Sequence, residues 1–228
     1  MNFWLKRLFL GLVALLLLYQ LWLFGWVLWW NWVNPESTRF MNIRLDELRV
    51  KDPRMQLKKQ WLAYEKIPAS LKHAIVAAED ARFIDHEGFD WEGIQQAIEK
   101  NQKKGRIVAG GSTISQQLAK NLFLSPAKTP WRKAEEAIVT LMLETLWSKQ
   151  RILEVYLNVI EWGDGVFGAE AAARHYYGIS ATQLSREQAA RLAGMVPSPR
   201  FYDRNRNAPG LARKTAIILA RMPSAEVP

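Results

Sequence analysis

In the segment "AAEDARFIDHEGFD", residues 77–90, acidic, basic and histidine side chains stand directly beside apolar ones. The residues before Glu79 are apolar and predict a packed helix, so we expect its carboxylate to emerge from buried surroundings into a cleft. Burial raises the pKa of a carboxyl group toward neutral pH, which suits a general base. A salt-bridged helix end is the alternative interpretation. A helix continuing through the segment would place four side chains on one face: Glu79, Arg82, Phe83 and His86.

The next informative segment is "GGSTISQQLAKN", residues 110–121. Its glycines allow the backbone to approach a ligand closely, and the N-terminus of the helix predicted after them attracts anions. Thr113, Gln117 and Lys120 fall on one face of this helix. Thr113 with Gln116 also forms a capping-box pattern, so an ordinary capped amphipathic helix is the alternative. The spacing of a phosphate-binding P-loop is absent.

A third segment, "TPWRKAEEA" at residues 129–137, begins with a helix-start signal. Arg132 and Glu136 are spaced for an intrahelical ion pair worth ~0.3–0.5 kcal/mol. Alternatively, Arg132 together with Lys120 holds a phosphate group, and Glu136 orients these cations or binds a divalent metal. Carboxylate and pyrophosphate oxygens are common ligands of Mg²⁺.

The N-terminal region contains a run without formal charge from Leu8 to Val33. Because ~20 apolar residues suffice to cross a bilayer, residues 8–33 are predicted to form a transmembrane helix. A signal peptide would have a shorter apolar core. Lys6 and Arg7 favour a cytoplasmic N-terminus, residues 1–7, with the rest of the chain on the other side. Four tryptophans resemble an aromatic belt at the far interface: Trp26, Trp29, Trp30 and Trp32.

The remaining chain is rich in basic residues and contains no cysteine. The 228 residues include 31 lysines and arginines against 22 acidic residues, and every acidic residue follows residue 33. A basic domain beside a membrane suits an anionic partner such as lipid headgroups, a phosphorylated lipid or an acidic polymer. The absence of cysteine excludes disulfides and thiolate zinc sites.

Helical periodicity dominates after a membrane-proximal connector at 34–64, in which Pro35 and Pro53 interrupt the pattern. One mostly α-helical domain is predicted at 65–222, followed by a short tail at 223–228. The segment "GRIVAGG", residues 105–111, is expected to be a flexible loop. Helix starts are predicted from side chains that cap helices: Asp90, Thr113, Thr129, Ser148 and Ser185.

Taken in order, these segments resemble one family. The motifs are "EDARFIDHEG", "GGSTISQQLAKN", "RKAEE", "KQRILEVYLN" and "GVFGAEAAARHYYG". Their order and spacing are similar to those of the peptidoglycan glycosyltransferases of glycosyltransferase family 51, the lysozyme-like module that also opens class A penicillin-binding proteins. The resemblance covers about residues 65–222 and implies a lysozyme-like α-helical fold. The sequence contains neither the S-x-N nor the K-T-G motif that a penicillin-binding transpeptidase site requires, so transpeptidase activity is not expected.

The resemblance implies polymerisation of lipid II, by inverting displacement, into β-1,4-linked glycan with release of undecaprenyl pyrophosphate. It assigns Glu79 as the general base for the acceptor hydroxyl and Glu136 as the second catalytic acid, at the donor site. Lys120 and Arg132 match the family's cationic contacts to the leaving pyrophosphate. Orienting or substrate-binding roles are implied for the other matched positions: Asp80, Phe83, His86, Thr113, Gln117 and Asn121.

The same resemblance implies the partners and the location. We expect lipid II, the growing lipid-linked glycan and membrane lipids as partners, with division or elongation proteins beside them and no nucleic acid. A divalent cation, Mg²⁺ or Mn²⁺, is expected at Glu136 with the substrate pyrophosphate, and no organic cofactor. The location implied is the bacterial inner membrane, single-pass, with the catalytic domain in the periplasm.

Two other functions stay open at this point. A lytic enzyme of the same broad fold would cleave glycan strands and would need a catalytic glutamate, but not the cations Lys120 and Arg132. A membrane-anchored scaffold that recruits cell-wall proteins would need neither catalytic acid. The presence of both Glu79 and Glu136 argues against a scaffold.

Overall fold

The computed structural model describes residues 3–106, 110–127 and 129–228. Helices dominate these residues, which confirms the mainly α fold. The centre of the predicted loop at 105–111, residues 107–109, lies outside the described residues. The described α-helices are α1 (Phe3–Trp30), α2 (Arg39–Arg49), α3 (Ala69–Glu79), α4 (Trp91–Lys104), α5 (Ile114–Phe123), α6 (Pro130–Leu146), α7 (Lys149–Val159), α8 (Ala169–Tyr177), α9 (Arg186–Met195), α10 (Pro199–Arg204) and α11 (Pro209–Arg221).

Five predicted helix starts are confirmed by their caps. In each, the capping side chain accepts a hydrogen bond from a backbone N–H of the first turn, which that turn cannot pair internally. Two of the five, ahead of α5 and α9, are complete capping boxes. The capping residues are Asp90, Thr113, Thr129, Ser148 and Ser185.

Helix α1 begins at Phe3 and ends at Trp30, against predicted limits of 8 and 33. Its 28 residues span about 42 Å, more than the ~30 Å apolar thickness of a bilayer. Most of its side chains are exposed, and only Leu23 and Val27 are buried. The helix is therefore long and apolar enough to cross a membrane and is not a core helix of the domain.

The C-terminal end of α1 is fixed to the domain by two side chains. Trp147 Nε1 donates a hydrogen bond to the carbonyl of Val27 at 2.8 Å. Arg151 Nη2 donates to the carbonyl of Trp30 at 2.7 Å, and Nη1 of the same side chain donates to Glu154 Oε2 at 2.8 Å. These carbonyls belong to the last turn, which leaves them without helical partners. The anchor helix and the domain are thus directly joined.

The predicted connector at 34–64 contains helix α2 and strand β1 (Lys58–Lys59). Helix α2 packs against α5 and buries Arg44, whose guanidinium bonds Glu161 at 3.0 Å and Asp164 at 2.7 Å. Strands β2 (Glu161–Gly163) and β3 (Val166–Phe167) complete a small sheet of order β1-β3-β2, parallel between β1 and β3. Long-range pairing thus orders a segment whose local pattern predicted only a connector.

Two groups of helices build the domain. Helices α2, α6 and α7 pack on α5, whereas α9 and α11 pack on α3 and on each other. The apolar faces of α5 and α7 are fully buried, as Leu118 and Leu153 illustrate. Small residues on α9 allow close approach, since a Cβ on Gly194 would stand 3.3 Å from Leu211. The C-terminus of α3 and the polar face of α5 meet where the two groups join.

Candidate functional site

Helix α3 ends at Glu79 because Asp80 leaves helical geometry, with φ −162° and ψ 75°. The predicted arrangement of four side chains on one continuing helical face is therefore wrong. Arg82 lies at the surface and pairs with Glu92, whereas Phe83 is fully buried. Glu79 stands alone at the end of the apolar helix, which is where the abrupt change from apolar to charged sequence placed it.

The buried carboxylate of Asp80 joins this turn to the start of α5. Its Oδ2 accepts a hydrogen bond from Ile114 N at 2.9 Å, and its Oδ1 lies 2.9 Å from His86 Nε2. Thr113 Oγ1 donates to the carbonyl of Gly88 at 2.7 Å. The anion predicted at this helix N-terminus is thus a carboxylate of the chain itself. Asp80, His86 and Thr113 hold the turn and the helix in a fixed relation.

Glu79 is half-buried and its carboxylate faces a neutral amide. Gln117 Nε2 donates to Glu79 Oε2 at 2.8 Å, while Tyr156 donates its hydroxyl to Gln117 Oε1 at 2.9 Å. The tyrosine therefore fixes the amide with its N–H₂ toward the acid. Burial raises the pKa of Glu79, against the smaller lowering effects of the Gln117 hydrogen bond and of the charges on Lys214 and Lys120.

Lys120 is close enough to both predicted catalytic acids for their charges to act on it. Burial lowers the pKa of its ammonium group, whereas the negative charges of Glu136 and, more weakly, Glu79 raise it. Arg132 and Lys133 add positive charge at the Glu136 end and lower the pKa of Lys120 further. The charges of the two acids, which lie on different helices, therefore both act on one cation.

Glu136 is buried, and both of its carboxylate oxygens are engaged. Oε2 accepts from Arg132 Nη1 and Oε1 accepts from Lys133 Nζ, so the intrahelical ion pair expected from the spacing is present. Arg132 Nε is buried and has no hydrogen-bond partner among the described residues. A buried N–H of this kind is costly unless a ligand satisfies it, and an anionic oxygen suits it best.

A metal ligand set is not formed by these side chains. The described residues contain no group of three or more acidic or histidine side chains placed to hold a metal ion. Glu136 already accepts hydrogen bonds from two cations, so it does not fit a metal ligand in this arrangement. Any divalent ion bound here would need oxygens of a bound pyrophosphate as ligands.

Two adjoining cavities form the cleft, and Pro197 lines both. The first, about 200 Å³, contains Gln117, Lys120 and Asn121. The second, about 170 Å³, contains Glu79. A ligand spanning both would contact Glu79 at one end and Lys120 at the other.

Several cleft residues have no local signal in the sequence. Tyr156 fits the core face of α7, and its hydroxyl contact to Gln117 depends on packing between helices. Lys214 reaches the Glu79 cavity from α11, and Glu161 with Arg200 lines the other cavity from β2 and α10. These residues could be assigned to the cleft only from the folded structure, which brings distant segments of the chain together.

Comparison with known proteins shows the family of this chain. A family model described as "Transglycosylase" matches residues 46–223. The chain belongs to the transglycosylase family. The lysozyme-like α-helical domain expected from the motifs is the fold of this family. Every residue predicted for the site lies inside the matched range.

Curated relatives named biosynthetic peptidoglycan transglycosylase cover nearly the whole chain. The protein of Dechloromonas aromatica is 76% identical over 225 residues, which are 99% of this chain and 97% of that protein. The protein of Nitrosospira multiformis is 63% identical over 99% of this chain and 98% of its own length. The protein of Chromobacterium violaceum is 62% identical over 96% of this chain and 96% of its own length. The similarity includes the N-terminal helix α1 as well as the domain.

Proposed function

We propose that this chain is a monofunctional peptidoglycan glycosyltransferase. It polymerises lipid II into β-1,4-linked glycan strands, releases undecaprenyl pyrophosphate and has no transpeptidase activity. The observation that carries the proposal is that Lys120 lines the cavity next to that of the half-buried acid Glu79, and that the charges of Glu79 and of the cation-bound acid Glu136 both act on it. Family membership and the relatives' names agree with it.

Glu79 accepts the proton of the acceptor. The acceptor is the 4-hydroxyl of the N-acetylglucosamine of an incoming lipid II, and a sugar hydroxyl needs a base within hydrogen-bond reach. As its oxygen forms a bond to the anomeric carbon of the donor, the bond from that carbon to the pyrophosphate breaks. A raised pKa makes Glu79 a stronger base than a solvated glutamate.

The leaving pyrophosphate carries the bonding electrons, so it needs positive charge more than a strong acid. Lys120, which lines the cleft, and Arg132, whose charge acts on Lys120, supply that charge. The unpartnered Nε of Arg132 is available to a phosphate oxygen, while Glu136 holds the guanidinium in place through Nη1. Planar guanidinium groups suit phosphate oxygens especially well.

The other predicted site residues support these groups. Asp80, His86 and Thr113 fix the turn after Glu79, and Gln117 orients its carboxylate. Phe83 packs beneath this turn, and Asn121 binds the backbone carbonyl of Gln117 at 2.8 Å. A divalent cation remains a prediction, tested by polymerisation assays with and without a chelator.

The location proposed is the bacterial inner membrane, with α1 spanning it and the domain in the periplasm. Lys6 and Arg7 before the apolar run favour a cytoplasmic N-terminus. Division or elongation proteins are the expected neighbours. Protease added to intact spheroplasts should digest the domain; complete protection would contradict this orientation.

Purified lipid II tests the activity directly. The full chain in detergent should convert lipid II to glycan polymer, and lysozyme should digest the product. Release of soluble fragments from isolated cell-wall sacculi, without polymer from lipid II, would instead favour a lytic enzyme. Absence of both reactions would favour a scaffold.

A further inference from the structure

A charged cavity adjoins the cleft. It encloses about 410 Å³ and lies where the C-terminal end of α2, the turn between β2 and β3, and α10 meet. Arg200 lines both this cavity and the cleft cavity that contains Gln117 and Lys120, so the two cavities are neighbours. We call the new one the arginine cavity. Its charged lining residues are Arg44, Glu47, Lys51, Asp164, Arg200 and Arg204.

The acids of the arginine cavity are already engaged. Arg44 is buried, and it donates to Asp164 Oδ1 at 2.7 Å through Nη2 and to Glu47 Oε2 through Nη1. Its Nε donates at 3.0 Å to the buried Glu161, which Arg200 Nε also approaches to 3.4 Å. A buried guanidinium needs such partners to offset the loss of its hydration. These pairs fix the wall of the cavity and leave its acids little capacity for a positively charged ligand.

Two exposed cations of the same cavity form no ion pair among the described residues. Lys51 follows the end of α2, and Arg204 ends α10, where its Nε donates to the carbonyl of Arg200 at 3.2 Å. Four cations against two acids line the cavity. The ligand that it suits is therefore anionic, since guanidinium and ammonium groups form charge-assisted hydrogen bonds to carboxylate oxygens.

The proposed substrate carries carboxylates within reach of this cavity. The disaccharide of lipid II bears a pentapeptide with free carboxylates, attached to the same sugar whose anomeric carbon carries the pyrophosphate. An extended pentapeptide spans ~17 Å at most. A donor sugar held beside Lys120 can therefore place its peptide in the neighbouring arginine cavity, which shares Arg200 with the cleft.

We infer that the arginine cavity binds carboxylates of the peptide stem of the lipid-linked donor, so that Lys51 and Arg204 determine how well the chain accepts an acidic stem. This inference rests on the proposed function, because it takes the substrate to be lipid II. An anionic phospholipid headgroup is the competing ligand. The continuity of the cavity with the cleft at Arg200 favours the substrate.

Lipid II with free or with amidated stem carboxylates tests the inference in the full-length protein. Polymerisation is measured for wild type and for the double variant Lys51→Gln/Arg204→Gln, which changes only exposed side chains and should keep the fold. In wild type, amidation should raise KM about tenfold, the equivalent of ~1.4 kcal/mol, with kcat unchanged. The double variant should show the same increase on the carboxylate substrate and no further increase on the amidated one, because both changes remove one interaction.

The matched control is Arg54→Gln/Lys103→Gln, which removes two exposed cations that do not line the arginine cavity. An unchanged KM in the first double variant, KM increases that add up when it is given the amidated substrate, or the same increase in the control would each overturn the inference. So would weaker binding of that variant to phosphatidylglycerol vesicles with an unchanged KM, which would indicate a lipid headgroup as the ligand. If wild type polymerises neither substrate, the proposed function itself fails and the arginine cavity loses its assigned ligand.

Discussion

Glu79 and Glu136 are the same residue type and the charges of both act on Lys120, but their partners differ completely. Glu79 accepts a hydrogen bond from the neutral amide of Gln117. Glu136 accepts from a guanidinium and an ammonium group at once. Burial beside a neutral donor raises the pKa of Glu79 and makes it a stronger base, whereas Glu136 holds two cations in place. The partners, not the residue type, therefore support different proposed roles for the two acids.

The largest effect expected is that of Glu79→Gln. Loss of the base should lower the initial rate of lipid II polymerisation by ~10²–10⁴-fold. The melting temperature should stay the same or rise, because the variant avoids a half-buried charge. Glu87→Gln, exposed on the same turn, is the control and should retain full activity. Unchanged turnover in the Glu79 variant would remove the distinction between the two acids.

Glu136→Gln should act differently, through the cations it leaves unpaired. The melting temperature should fall, and the loss of unfolding free energy should be smaller than the ~3–5 kcal/mol typical of a broken buried pair, because Lys133 is half-exposed. Activity should fall less than in Glu79→Gln. Thermal unfolding and steady-state kinetics, with Glu99→Gln as control, measure both. A rate loss equal to that of Glu79→Gln with unchanged stability would show that Glu136 acts in the chemistry itself.

Arg132→Lys keeps the charge at the Glu136 end but removes the unpartnered Nε. A lysine offers a point charge instead of a planar fork, so binding of undecaprenyl pyrophosphate should weaken about tenfold, or ~1.4 kcal/mol. Isothermal titration measures this, with the exposed Arg186→Lys as control. Equal affinity in the variant would mean that a positive charge at position 132 is enough to bind the pyrophosphate and that the planar guanidinium is not needed.

The smallest effect is expected from Lys214→Met, which changes only the field at Glu79. The base must be ionised, so kcat/KM rises with pH through the pKa of Glu79, which burial places above the usual ~4.3. The charge of Lys214 favours the ionised form of Glu79, so its removal should raise the pKa of Glu79 further. The rise of kcat/KM with pH should then occur at higher pH. The exposed Lys104→Met should leave the profile in place. A shift to lower pH would contradict the assigned electrostatics.

Much of the local structure follows from neighbouring residues. The caps at Thr113 and Thr129 were predictable because a capping side chain bonds a backbone N–H within three residues. Helix α2 was missed because its burial depends on the pairing of Arg44 with Glu161, far along the chain. The end of α3 was missed because Asp80 bonds Ile114 instead of continuing the helix.

The sequence by itself determined the long apolar N-terminal helix, the helical class of the domain and the choice of Glu79 and Glu136 as candidate site residues, since these rest on runs, periods and motifs of contiguous residues. Tertiary structure decided that Tyr156 fixes Gln117 against Glu79, that Lys214 lines the same cavity as this acid, and that tryptophans of α1 line a cavity against the domain. Electrostatic and packing interactions act over a few ångströms of space, and only the folded chain brings these distant residues within that range.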